Sequence, residues 1–168
     1  AQHNNIQFKF YIKQAGNALS LSANDVYDII TTKQGQTYFA TFGGGVNTIT
    51  SVDSKGFPTK FDAITKTQGL SSDIALQLIE DHEGKLWISS EGNISIFNPS
   101  TKSIKTYSEI SKMIKGFSFT EGSSFVDHNG FIYFGYTNGL LTINPFIIHT
   151  NTFKPYLALT NLQISNKD

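Results

Sequence analysis

The chain of 168 residues contains no cysteine and no arginine, and only one methionine and one tryptophan. Without cysteine there is no disulfide framework and no thiolate nucleophile or ligand, whatever the compartment. Without arginine every basic residue is lysine, so the planar fork that grips phosphates and guanine edges is missing. The 13 basic side chains are balanced by 13 acids, which leaves no positive excess to displace counterions from a nucleic-acid backbone. No nucleic-acid partner is expected. Charged residues make up 15% of the chain, below the roughly 25% of average domains, while Ser, Thr and Asn are plentiful. A polar, uncharged surface of this kind suits an exported protein. No apolar run approaches the roughly 18 residues of a membrane span, and the chain opens with neither an initiator Met nor a signal peptide. The expectation is a piece of a longer protein with no membrane contact of its own.

What the sequence does have is a repeat. Gly69-Leu-Ser-Ser-Asp, an apolar run, Asp81-His-Glu-Gly84-Lys-Leu-Trp87 and Gly92-Asn-Ile-Ser-Ile-Phe-Asn98 recur in weaker form on both sides. Gly35, Gly84 and Gly130 mark the phase at intervals of 49 and 46 residues, each followed three residues later by an aromatic: Tyr38, Trp87, Tyr133. A period of this size means an array of similar supersecondary units. Within one unit, Ile74, Leu76 and Leu78 alternate as on a strand, and Asp81 to Gly84 is a turn signal in which the carboxylate can accept turn N–H groups. Leu86 and Ile88 then fall on one face and Trp87 on the other, Ile94 to Ile96 alternates again, and residues 103–107 supply a return strand. Taken alone, Ser72 to His82 also fits an amphipathic helix, but the same phase holds Val26-Tyr-Asp-Ile-Ile-Thr and Ser124-Phe-Val-Asp, rich in β-branched and aromatic residues, so a strand is predicted. Four short antiparallel strands per roughly 45 residues is a β-propeller blade.

The predicted fold is therefore all-β, a partial propeller of about three four-stranded blades. Residues 1–20 hold a strand left from a preceding blade, with Ile6, Phe8, Phe10 and Ile12 alternating. Residues 21–150 hold the three blades. Ser111 to Lys115 is predicted to make one helical turn, and Asn98-Pro99 and Asn144-Pro145 should end the third strands of their blades. Residues 151–168 lack a turn glycine in phase and read as a linker and the first strand of a further β domain. Three blades fall short of the usual minimum of about four, and the blade faces are apolar, with Phe39, Trp87, Ile88 and Phe134 among their residues. A homodimer approaching a full ring is expected.

The search for chemistry assigns no catalytic, metal or cofactor residue and no ligand contacts. His82 and His128 occupy the same repeat position on separate blades, without ligand spacing. Glu80, Asp81 and Glu83 lack the oxygen-rich spacing of a calcium loop. Gly43-Gly44-Gly45 is followed by a strand and by no Lys-Ser/Thr, so it reads as a hairpin turn and not a phosphate cradle. No serine stands in a nucleophile elbow. Asn93-Ile94-Ser95 fits a glycosylation sequon but lies at a strand start. Trp87, Tyr38 and Tyr133 are suited to stacking on sugars, yet their common phase favours packing between blades. Asp25 and Asp73 also recur at one phase, which keeps open a propeller lyase or glycosidase with carboxylates along the axis. A protein-binding propeller is a third possibility.

Gly69-Leu-Ser-Ser-Asp-Ile, with Ile79-Glu-Asp-His-Glu-Gly-Lys-Leu-Trp-Ile-Ser-Ser, resembles the two-component regulator propeller repeat. The third blade keeps Asp127, Gly130, Gly135, Thr137 and Asn138-Gly139-Leu140 of that pattern, whereas the first has Thr32 for the Asp, Tyr38 for the Trp and Ala40 for a Gly. The tail from Pro155 through Leu162-Gln-Ile-Ser-Asn-Lys resembles the opening of the immunoglobulin-like domain that follows the last blade in such receptors. The resemblance implies a periplasmic sensor segment of a hybrid two-component system, in which propellers and that domain detect carbohydrate breakdown products and control polysaccharide-utilisation genes. It also implies an oligosaccharide ligand in the full-length receptor. Kinase activity would belong to the parent, since no phosphoacceptor helix or ATP-binding glycine segment is present in this sequence.

Overall fold

The computed structural model describes residues 7–107, 110–113, 116 and 118–147. They form three antiparallel sheets in which each strand pairs with its neighbour in chain order. The first blade is β1 (Val26–Thr31), β2 (Thr37–Thr41), β3 (Gly45–Val52) and β4 (Pro58–Ile64). The second is β5 (Gln77–Glu80), β6 (Leu86–Ser89), β7 (Ile94–Phe97) and β8 (Ile104–Tyr107). The third, among the described residues, is β9 (Phe119–Val126), β10 (Ile132–Tyr136) and β11 (Gly139–Ile143). A single helical turn, α1 (Ile110–Met113), joins the second blade to the third where one was expected. The innermost strands β1, β5 and β9 touch one another, so the three sheets stack as consecutive blades of a partial propeller. The strands β7 and β11 stop just before Asn98-Pro99 and Asn144-Pro145.

The first hairpin of every blade is built locally. Asp81 Oδ1 accepts the N–H groups of Glu83 and Lys85, each at 2.9 Å, and Asp127 Oδ1 does the same for Asn129 and Phe131. In the first blade the Thr32 hydroxyl replaces the carboxylate and accepts the Gln36 N–H at 3.2 Å. Gly35, Gly84 and Gly130 close these turns at φ +82°, +76° and +83°, a conformation that a side chain disfavours. The device recurs between β3 and β4, where Asp53 Oδ1 accepts from Lys55 and Phe57 and Gly56 sits at φ +82°.

Alternation sorts the side chains between two cores. Leu86 and Ile88 face the first blade and pack with Tyr38, Ala40, Val46 and Phe97. Trp87 faces the third, among Ile94, Phe119, Ile132 and Phe134. Full burial of side chains such as Leu86 and Phe134 contributes about 1.5 to 3 kcal/mol each. Polar bonds near the inner strands tie blade to blade. Asp28 Oδ2 accepts the Leu78 N–H at 2.7 Å, and Gln77 Nε2 donates to the carbonyls of Thr120 and Gly135. The Ser124 hydroxyl donates to the Leu78 carbonyl at 3.0 Å.

Three expectations need correction. Residues 7–12 form no strand, and Ile6 lies outside the described residues. The segment rests on the first blade through Lys9, whose Nζ donates to Asp53 Oδ2 at 2.5 Å, and through Tyr11, whose ring meets Phe61 edge-on at 5.4 Å. A ladder requires a partner edge, and no described strand lies alongside. Second, β5 begins at Gln77 and not at Ile74. Ile74 makes an isolated bridge to Phe42, and the Ala75 N–H donates to the Thr41 carbonyl of the first blade, so this stretch joins blades before it joins its own sheet. Third, the aromatic phase-mates are not equivalent. Tyr38 and Trp87 are buried between blades, whereas Tyr133 is half-buried against Phe125 of its own sheet. Residues 151–168, the expected linker and next-domain strand, lie outside the described residues.

Candidate functional site

The first hairpin turns of the three blades converge on one cleft of about 310 Å³. Lys33 comes from the first blade, Glu80, Asp81 and His82 from the second, and Asp127 and His128 from the third. Phe146, just beyond β11, closes one side and stacks on His82 with ring centroids 4.2 Å apart. Glu80 is buried, 7% exposed, and its Oε2 accepts the Lys33 N–H at 2.8 Å across the blade boundary. Its Oε1 is buried with no partner among the described residues.

Charge in the cleft is set by the turns. Burial acts to raise the Asp127 pKa, but the Phe131 N–H, the Tyr133 hydroxyl and the Asn129 N–H outweigh it and hold the carboxyl below its ordinary range. The same bond from the Tyr133 hydroxyl, 3.1 Å long, pushes the tyrosine up. Outside this cleft, on the same turn of the second blade, Lys85 pairs with Glu83, which lowers the carboxyl and raises the amine. Histidine rings, a lysine, carboxylates and an apolar ring around one space suit a polar organic ligand presenting both donors and acceptors. Among the described residues no group of three or more His, Asp or Glu is placed to hold a metal ion.

A second cavity, of about 300 Å³, opens on the side of the second blade that faces the third. Trp87, Ile96, Ile104, Lys105, Tyr107 and Pro145 line it. Trp87 is anchored there by its own turn, since Nε1 donates to Asp81 Oδ2 at 2.8 Å. The indole is buried, so it presents no open platform for a sugar ring.

The structure thus brings His82 and His128 together, although each was read as an isolated turn residue. Glu80 and Asp81 share that cleft, and the remaining candidates stay apart. Gly43 to Gly45 is the β2–β3 turn, with the Gly45 N–H bonded to the Asp73 carbonyl at 2.7 Å. Asp73 Oδ1 accepts the Lys66 N–H, and Asp25 is exposed. Ser95 of the sequon is buried and bonded to Ser71 and Thr106. Sequence reasoning missed Gln77, a fully buried amide. Its only signal was a long polar side chain between Leu76 and Leu78.

No family model matches the chain. By structure it superimposes on the extracellular domain of a B. thetaiotaomicron protein, at 22% identity, with TM-scores of 0.61 and 0.62 in two determinations. Each alignment covers 82% of this chain and 19% of the other. The chain has the fold of part of that extracellular domain. The matched protein is described as a hybrid two-component system in one determination and as a one-component system in the other. By sequence the chain is similar to histidine kinase P4 of Formosa agariphila, 30% identical over 90 residues, which are 54% of this chain and 6% of that protein. It therefore spans about a fifth of the solved ectodomain and a small part of the kinase.

Proposed function

We propose that this chain is a segment of the periplasmic sensing region of a hybrid two-component histidine kinase, and that its signal is a carbohydrate breakdown product controlling polysaccharide-utilisation genes. The carrying observation is that a stretch of 90 residues similar to a histidine kinase lies in a chain with the fold of a two-component ectodomain. The kinase itself would lie elsewhere in the parent. The oligosaccharide is assigned to the cleft where the three hairpin turns meet, because hydroxyl-rich ligands need clustered donors and acceptors with an apolar ring, and Lys33, Glu80, His82, His128 and Phe146 supply them there.

Calorimetry and product analysis of the chain with a panel of acidic and neutral oligosaccharides test this reading. Binding of one oligosaccharide class without cleavage, weakened at least tenfold by His128→Ala, is the expected result. Released product would make the chain a propeller lyase or glycosidase. Binding untouched by His128→Ala would move the site off the cleft, and no binding by any oligosaccharide would remove the carbohydrate assignment.

A further inference from the structure

One repeat position carries a basic or imidazole side chain in each of the three blades. Lys33, His82 and His128 stand 49 and 46 residues apart, the same intervals as the turn glycines. Each directly follows the side chain that closes its turn: Thr32, Asp81 and Asp127. Stacked repeats put equivalent positions side by side, and all three residues line the cleft. They are exposed, as is Asn129 beside them. Among the described residues the Lys33 ammonium, the His128 ring and the Asn129 side-chain amide make no hydrogen bond. The carboxylates around the cleft are placed differently. Asp81 Oδ1 accepts from the Glu83 and Lys85 N–H groups and Oδ2 from the Trp87 indole. Asp127 Oδ1 accepts from Asn129 and Phe131 and Oδ2 from the Tyr133 hydroxyl. Glu80 Oε2 accepts the Lys33 N–H, and Oε1 is buried. Glu83, 4.0 Å from His82 Nε2, is paired with Lys85. The acceptors of the walls are thus committed to the fold, and the exposed groups that remain are a permanent cation, two imidazoles and an amide, each able to donate.

We propose that the cleft receives the anionic substituent of an acidic sugar, a carboxylate or a sulfate, between Lys33, His82 and His128. The sugar rests on the carbohydrate assignment of this cleft, and the anion does not. Oxygens of an anion accept charge-assisted bonds from an ammonium and from protonated imidazoles, and such bonds are roughly twice as strong as neutral ones. Lys33 and two protonated imidazoles match the charges of Glu80, Asp81 and Asp127 one for one, so an incoming anion then meets no net negative charge. Converging N–H donors stabilise a carboxylate where it stands. Asp81 and Asp127 are held in that way by their own turns and do not take up the donors of the cleft. Without arginine in the chain there is no planar fork, and point donors from three separate turns take its place. Phe146, 58% exposed, adds an apolar surface for the sugar ring. A Cβ on Gly130 would lie 2.9 Å from the Phe146 ring, so the turn glycine is what lets that ring approach.

The test is a titration of the 168-residue chain at about pH 6, where imidazole ordinarily carries its proton. The probes are an oligogalacturonide and a sulfated galactan oligosaccharide, each against its neutral form, and sodium sulfate at an ionic strength matched with chloride. One acidic form should bind at least about tenfold tighter than its neutral counterpart and shift the imidazole nitrogen NMR signals of His82 and His128. Lys33→Ala and His82→Ala, both at exposed positions, should each remove that preference. Lys85→Ala removes the same charge outside the cleft and should leave it intact. Equal affinity for acidic and neutral forms, or an equal loss in Lys85→Ala and Lys33→Ala, overturns the anion site and leaves the carbohydrate assignment standing. Sulfate that shifts both imidazole signals in the native chain but not in Lys33→Ala, with no oligosaccharide bound, keeps the anion site and removes the sugar. If neither sulfate nor an acidic oligosaccharide moves these signals, the cleft is not an anion site.

Discussion

Replacing Asp81 by Ala removes one carboxylate that serves three donors. Its Oδ1 accepts the N–H groups of Glu83 and Lys85, and its Oδ2 accepts the indole N–H of Trp87 at 2.8 Å. Glu83 and Lys85 lie at the surface, where water can replace the lost acceptor. Trp87 is 3% exposed, so its N–H is left buried and unpaired. A hydrogen bond to a charged group contributes about 1.5 to 3 kcal/mol, and an orphaned buried donor costs about 1 to 3 kcal/mol. These overlap, so Asp81→Ala should destabilise by about 3 kcal/mol, measured by urea unfolding followed through tryptophan fluorescence and far-ultraviolet dichroism. Trp87→Phe keeps most of the ring and removes the donor, which isolates the bond. The double variant tests the coupling: once Trp87 has no N–H, Asp81→Ala should cost at least about 1 kcal/mol less than it does in the native chain. Additivity of the two substitutions within about 0.5 kcal/mol would show that the carboxylate acts only on its turn and that the indole bond adds nothing.

Trp87→Ala should cost about 3 to 5 kcal/mol, because the ring is buried between two blades and its removal leaves a cavity; native-like melting with lost sugar binding would reverse the packing assignment. Asp53 is held down to about 2 by the Lys9 ammonium and by the N–H groups of Phe57 and Lys55. A folded pKa depressed below the unfolded value means a contribution fully present above about pH 4 and lost as pH falls toward 2. Carboxyl NMR should therefore place this titration near 2, and Lys9→Ala should move it upward; an unmoved value would remove the ion pair as the cause. Gln77→Ala takes the donor from the Gly135 and Thr120 carbonyls, and amide exchange should accelerate in β9 and β10 more than in β2 and β3; uniform acceleration would mean that the amide does not lock these blades. Chelators and added divalent ions should leave melting unchanged, and a shift of several degrees with EDTA would expose a metal site not apparent among the described residues.

The turns were legible because their causes are local. An acceptor side chain three residues before a glycine, as at Asp81 and Gly84 or Asp127 and Gly130, contains within four residues both the acceptor and the backbone freedom that the turn needs. The alternation of Leu86, Trp87 and Ile88 likewise fixed which residues share a face, since a strand has a period of two whatever surrounds it. Thr32, which departs from the Asp of the other turns, still closes its hairpin through its hydroxyl. Tertiary structure decided everything that depends on how one blade sits against the next. His82 and His128 share a cleft because successive blades place equivalent turns side by side, not because of any spacing in the chain. Glu80 finds its partner in the Lys33 N–H of another blade, and Ile74 leaves its own sheet to bridge Phe42. Residues 7–12 have the alternation of a strand and are not one, because a ladder takes two edges and alternation specifies only one.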